Sequence, residues 1–267
     1  MVSLTNSSVD RALELLRLLA CSRRPVRFAE LQAQSGIPKG TLHSLLASLE
    51  AADFIRRSTQ GYEIGIAAFE VGTAVPVPAS LRGAASPLLD ELLPLGEACH
   101  FGMLDGGDVV YLDRRDYSRD ALRYTARIGG RKPAYATALG KAMLALKADA
   151  EIELLYPGGL TALTPQTLTT RAELLEVLAE IRTNGYATES EESTPGVCCI
   201  GVAGGVRDIV YGLSVTVPVV RAQASDLAAM FLPVLSATLH RLDASLSAAQ
   251  QLDPSALTIS TTDLTTR

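Results

Sequence analysis

Lys39, Gly40, Thr41, His43 and Ser44 follow the turn signal Ser35-Gly36 and a proline at 38, and they interleave with Leu42, Leu45, Leu46 and Leu49. Read as a helix from Pro38 to about Ala52, the segment gathers those leucines on one buried stripe. The opposite side then carries Gly40, Ser44, Ala47 and Ser48, flanked by Thr41 and His43, with Lys39 at the N-terminal end. Small polar side chains on an exposed helix face let the backbone approach base edges in a major groove. A lysine beside free helix amides suits phosphates. After Asp53 the pattern alternates, Phe54-Ile55-Arg56-Arg57 and then Tyr62-Glu63-Ile64 around Ser58-Thr59-Gln60-Gly61, which reads as two short strands and a turn. Arg56, Arg57 and Gln60 on that hairpin would reach neighbouring phosphates or the minor groove as a wing. A three-helix bundle with a merely solvated third helix has the same periodicity, so the residues alone leave both readings open.

A second set of groups lies far along the chain. Thr137, Ala138 and Leu139 open a helix expected over Thr137–Lys147, so their free amides can hold an anionic or carbonyl group. Sharper chemistries fail. Gly140-Lys141-Ala142 mimics a phosphate-binding loop, but Tyr135 replaces its first glycine and Ala142 its metal-binding hydroxyl. The three histidines, at 43, 100 and 240, sit in separate elements, and Cys99 and His100 face opposite sides of any strand that holds both. No G-x-S-x-G occurs. The four cysteines, at 21, 99, 198 and 199, form neither a disulfide framework nor a zinc-ligand spacing. No catalytic residue, metal site or cofactor is expected.

These groups need elements to position them. Ahead of the candidate recognition helix, Val9, Ala12, Leu13, Leu16, Leu19 and Ala20 recur at helical spacing, leaving Leu15 and Leu18 off the stripe. A helix of about two turns follows over Phe28–Gln34. Residues 1–65 thus read as helices and a hairpin. A connecting helix over Ile66–Thr73 and the sequence Val75-Pro76-Val77-Pro78 place a boundary within 66–79. A body over 80–250 opens with a helix from Ser80 to about Leu95. It continues with a hairpin of strands near Cys99–Leu104 and Val109–Asp113, turned by Asp105-Gly106-Gly107-Asp108, and a third strand near Leu122–Arg127. A helix over Arg171–Asn184 ends at Gly185, and strands are expected at Tyr186–Thr188, Cys198–Ala203 and Val210–Val217. The last helix runs from about Ser225 to Leu246 with a kink at Pro233, and the Ser/Thr/Asp-rich tail over 251–267 reads as disordered. Hairpins mixed with separate helices give an α+β chain with a mainly antiparallel sheet.

Composition agrees with two packed domains. The 267 residues are 48% hydrophobic and 20% charged, too apolar for a disordered chain, and no apolar run reaches the ~18 residues of a membrane span. The charged start Arg11-Ala12-Leu13-Glu14-Leu15-Leu16-Arg17 argues against an exported leader, so reduced thiols and a cytoplasmic setting are expected. Residues 1–65 carry eight Lys and Arg against six Asp and Glu, a net +2, and the remainder carries −7. A slightly basic head on an acidic body points nucleic-acid contact to the head.

The motifs Val9-Asp10-Arg11-Ala12-Leu13-Glu14-Leu15-Leu16, Ser35-Gly36-Ile37-Pro38-Lys39-Gly40-Thr41-Leu42-His43-Ser44-Leu45-Leu46 and Gly61-Tyr62-Glu63-Ile64-Gly65 resemble the winged helix-turn-helix of IclR-type bacterial transcriptional regulators. The likeness continues through Gly107-Asp108-Val109-Val110-Tyr111-Leu112-Asp113, Ala136-Thr137-Ala138-Leu139-Gly140-Lys141-Ala142, Gly185-Tyr186-Ala187, Glu191-Glu192, Gly196-Val197-Cys198-Cys199-Ile200 and Leu213-Ser214-Val215, and spans residues 8 to 247. It implies a GAF-like effector-binding body, dimers or tetramers, and small organic effectors. It also implies that Glu189, Cys199, Ser214 and Thr216 contact the effector beside Thr137, Ala138 and Leu139. Each has a plainer reading, Cys199 as a core thiol, Ser214 and Thr216 as one face of a half-buried strand, Glu189 as a solvated carboxylate. Helix amides favour an anion and Glu189 repels one unless it is protonated or paired, so a ligand with both an acceptor and a donor group is expected. The expected function is a ligand-responsive regulator, a repressor rather than an activator, that binds a palindromic double-stranded operator as a homodimer or homotetramer, with no membrane partner. The alternative is an enzyme or carrier of small acids whose head serves only for assembly.

Overall fold

The structure is a computed structural model, and it describes residues 7–22, 24–95, 98–116, 126–223 and 226–252. It divides into two compact units, Met1–Pro76 and Val77–Arg267.

The first unit is built from α1 (Ser7–Cys21), α2 (Phe28–Ser35), α3 (Lys39–Ala51), the hairpin β1 (Ile55–Ser58) and β2 (Gly61–Ile64), and α4 (Ile66–Thr73). Gly36 ends α2 in the left-handed region at φ 64°, returning its N–H to the Gln32 carbonyl at 3.0 Å, and this turn redirects the chain into α3. Pro38 caps α3 rather than opening it, so the helix starts one residue later than expected. The core is Leu15, Leu19, Val26, Leu31, Ile37, Leu42, Leu46, Ile55 and Tyr62, with Leu45 and Leu49 half-buried against it. The α1 stripe is rotated from the expected one. Leu15 is fully buried, while Val9 and Leu13 are 52% and 41% exposed. Leucines stand on most sides of this helix, so spacing admits more than one inward face, and packing against α2, α3 and β2 selects the face through Leu15 and Leu19.

The second unit carries one six-stranded antiparallel sheet in the order β5-β4-β3-β8-β7-β6. The strands are β3 (Ala98–Asp105), β4 (Asp108–Asp116), β5 (Arg131–Pro133), β6 (Ala187–Ser190), β7 (Val197–Val206) and β8 (Ile209–Pro218). The helices are α5 (Pro76–Leu92, followed by a 3₁₀ turn over Leu93–Leu95), α6 (Ala138–Leu144), α7 (Asp149–Leu155), α8 (Arg171–Asn184), α9 (Val219–Gln223) and α10 (Leu227–Leu252). α5 begins at Pro76, earlier than the expected Ser80, because prolines are tolerated in a first helical turn where their missing N–H has no partner to lose. The short α7 and α9 and the strand β5 were not expected. Of the strand expected near Leu122–Arg127, residues 122–125 lie outside the described residues and Ala126 and Arg127 are not in a strand; the tail from Asp253 also lies outside them.

Strand alternation sorts the sheet into two faces. Cys99, Phe101, Cys198, Ile200, Val202, Leu213, Val215 and Val217 pack with α5 and α10 in one core. α6, α7 and α8 cover the other face with Val109, Tyr111 and Ala187. Every residue of α6 is buried. The helix lies this close because Gly201 stands beneath it; a Cβ there would sit 3.0 Å from the Leu139 nitrogen. Among the described residues no helix is long and apolar enough to cross a membrane.

Candidate nucleic-acid interface and effector cavity

In the first unit, α3 presents Lys39, Gly40, His43, Ser44, Ala47 and Ser48 to solvent, and Thr41 is half-buried beside them. Pro38 supplies no side-chain cap, so the first-turn amides of α3 stay open to an external acceptor. The His43 ring is stacked on Phe28 with centroids 4.3 Å apart, which ties the exposed face of α3 to α2. On the hairpin, Ile55 pairs with Ile64, Arg56 with Glu63 and Arg57 with Tyr62. Arg56 and Arg57 therefore leave opposite faces of the ribbon and do not form one patch. Arg56 is exposed and ion-paired to Glu63 at 2.9 Å, a surface contact weak enough to exchange for a phosphate. Arg57 lies over the Tyr62 ring, 5.7 Å from its centroid, and Gln60 is exposed at the turn.

In the second unit, the register brings all the expected effector residues to one place. Cys199 on β7 pairs with Glu189 on β6 and with Thr216 on β8, and Ser214 sits one step along the same face. Thr137 caps α6 by accepting the Gly140 N–H at 2.9 Å, so Ala138 and Leu139 start the helix directly above these strands. Together Thr137, Ala138, Leu139, Glu189, Cys199, Ser214 and Thr216 line a cavity of about 30 Å³.

The cavity has further walls that spacing did not reveal. His100, which spacing gave no catalytic partner, faces Ser214 directly across β3 and β8, and its ring meets Tyr111 edge-on at 5.5 Å. Lys132 enters from β5, a strand too short and too polar to read. Ser193 and Thr194 close the rim from the turn after β6. That turn is fixed from outside: the Thr164 hydroxyl donates to the Glu191 carbonyl at 2.7 Å and the Thr167 hydroxyl to the Glu192 carbonyl at 2.6 Å.

Burial sets the electrostatics. Glu189 is 2% exposed and held above the usual carboxylate range mainly by that burial; one oxygen accepts the Glu192 N–H at 2.9 Å, and Oε1 has no partner among the described residues. Burial pushes the His100 imidazole down to about 4, with Arg114 adding to the effect, so the ring is neutral near pH 7, and its Nε2 is also unpartnered. The Cys199 thiol, raised by burial and by Glu189, is no thiolate nucleophile; it contacts the Thr216 hydroxyl at 3.2 Å. Lys132 is lowered by burial. Buried polar atoms with no partner among the described residues converge in this pocket, an arrangement that a bound ligand can complete.

Two family profiles cover both units: the IclR helix-turn-helix domain matches residues 8–59 and the bacterial transcriptional regulator IclR C-terminal domain matches residues 75–244. The chain belongs to the IclR family of transcriptional regulators, a winged helix-turn-helix joined to an effector-binding body. It is 36% identical over 199 residues to the HTH-type transcriptional regulator XynR of Escherichia coli K12, spanning 73% of this chain and 79% of that one. It is 33% identical over 199 residues to the transcriptional repressor IclR of the same organism, spanning 72% of each. Among solved structures, an IclR homolog from Microbacterium hydrocarbonoxydans complexed with 4-hydroxybenzoate superposes with a TM-score of 0.76 at 20% identity, covering 91% of this chain and 100% of that one. The family's role is transcriptional regulation, which sets aside the enzyme or carrier alternative.

Proposed function

We propose that this protein is a cytoplasmic repressor that binds a palindromic operator as a dimer or tetramer and responds to a small organic effector. Ser44 and Thr41 read base edges, Lys39 and the α3 amides at Gly40 hold phosphates, and His43 both faces the groove and steadies the helix. Arg56, Arg57 and Gln60 support the helix as a wing. The exposed face of α3, small and polar above a leucine stripe, supports this reading. Repression is favoured by the likeness to a protein named as a repressor. Operator symmetry demands at least two heads, and Ile66, Phe69 and Val71 of α4, each 60% exposed or more, are candidates for contact between copies.

The effector occupies the cavity between the start of α6 and the strands carrying Cys199 and Ser214. The observation that carries this is Glu189 Oε1, buried, lining that cavity and without a hydrogen-bond partner among the described residues. The effector is a small polar molecule with both an acceptor and a donor group; the 4-hydroxybenzoate bound by the structural relative has both. An effector can shift the regulator only by binding one arrangement of its subunits better than another. Mobility shift on the promoter beside the protein's own gene tests operator binding, and a thermal-shift screen of small acids, aromatics and amides tests the effector site. Sedimentation showing a monomer with and without that DNA would overturn the oligomer.

A further inference from the structure

Two lysines and two glutamates lie in or beside the cavity, and their pairing is incomplete. Lys141 of α6 and Glu192 meet at 2.6 Å with side chains 3% and 13% exposed, so each neutralises the other. Among the described residues Lys132 and Glu189 have no such partner. The Lys132 ammonium donates only to neutral hydroxyls, Thr194 Oγ1 at 2.9 Å and Ser193 Oγ at 3.3 Å, and forms no ion pair among the described residues. Glu189 Oε1 has no hydrogen-bond partner of ordinary geometry among the described residues, the Cys199 thiol being the carboxyl group's side-chain neighbour. Both line the same cavity, yet they do not come within ion-pair distance of each other. A half-buried cation and a buried carboxylate oxygen are costly to leave uncompensated, and a ligand placed between them can compensate both.

We propose that Lys132 is the charge-selecting residue of this cavity: it holds the carboxylate of the effector, while Glu189 Oε1 accepts a hydrogen bond from an N–H or O–H donor on the same molecule. The effector class is thus a small carboxylate carrying a hydroxyl or amino group. His100 Nε2, unpartnered and across from Ser214, offers a further contact to the hydroxyl or amino group. The inference rests on the cavity being the effector site.

A matched set of small probes separates the charge from the donor group: propionate, lactate, alanine and lactamide. Titrated into the full-length protein by calorimetry, lactate or alanine should bind about tenfold or more tightly than either propionate, which lacks the donor, or lactamide, which lacks the charge. Lys132→Met should reduce lactate or alanine, whichever binds, to the level of lactamide, and Lys132→Arg should restore the preference for the carboxylate. Glu189→Gln should keep that preference and narrow the margin over propionate. Thermal melts without ligand show that each variant is folded. Wild-type binding of lactamide as tight as that of lactate, an unchanged preference in Lys132→Met, or no binding of any probe at millimolar concentration overturns the proposal. If affinity depends on Ser214 but ignores Lys132, the cavity remains the effector site and only the charge assignment fails. If it ignores Ser214, Glu189 and Cys199 alike, the cavity reading itself fails.

Discussion

Lys141 and Glu192, 51 positions apart in the chain, form a buried ion pair at 2.6 Å that joins α6 to the turn beyond β6. The pair ties the helix to the rim of the cavity. Removing a single partner leaves an uncompensated charge inside the protein, so Lys141→Met should cost roughly 3–5 kcal/mol of stability in urea denaturation. The double variant Lys141→Met with Glu192→Leu should recover a substantial part of that loss. Equal destabilisation in both would show that the helix packing, rather than the charge, is what the pair supplies.

Operator binding separates the contacts on α3 from those on the wing. Lys39→Gln should weaken binding evenly across sequences and flatten the dependence of log affinity on log salt by about 0.9 for the one phosphate contact removed. Ser44 and Thr41 substitutions should change which base is preferred. Charge reversal at Arg56 and Arg57 together should weaken binding. Mobility shifts over a salt series on wild-type and scrambled operators measure all three, and unchanged affinity in the Arg56/Arg57 variant would remove the wing assignment.

Within the cavity, Ser214→Ala should remove one hydrogen bond to the effector and cost on the order of 0.5–1.5 kcal/mol in binding, a few-fold in affinity. Operator binding without effector should be untouched. Calorimetry paired with mobility shift reads both quantities on the same preparation.

His100 gives the body a stability that depends on pH. Its folded imidazole titrates near 4 against an ordinary value of about 6.5, so between those values the unfolded chain takes up a proton that the folded one refuses. Stability therefore falls as pH drops from about 6.5 to 4, by up to roughly 3 kcal/mol from this group. Glu189, raised in the fold, acts in the opposite sense, its contribution being present at low pH and lost as pH rises through its folded value. Chemical denaturation at several pH values should show a shallower decline in His100→Asn than in wild type; parallel curves would mean that His100 is charged in the fold.

Local sequence determined the elements. Leucine spacing and the Ser35-Gly36 turn determined α2 and α3, alternation around Gly61 determined the hairpin, and α8 runs over the expected Arg171–Asn184, because periodicity, capping and turn chemistry act within a few residues. The order of motifs along the chain was enough to indicate the family. Other features were settled only by tertiary contact. Which side of α1 faces inward depended on α2, α3 and β2, since its leucines permit more than one choice. His100 and Lys132 entered the cavity through the pairing of β3 with β8 and of β4 with β5, and cross-strand partners are set by long-range register that no local pattern encodes. Sequence could list Lys132, Lys141, Glu189 and Glu192 as charges. Only the folded chain decided that one pair is closed and that the other two have no ion-pair partner among the described residues, because pairing depends on distance in space and burial sets its cost.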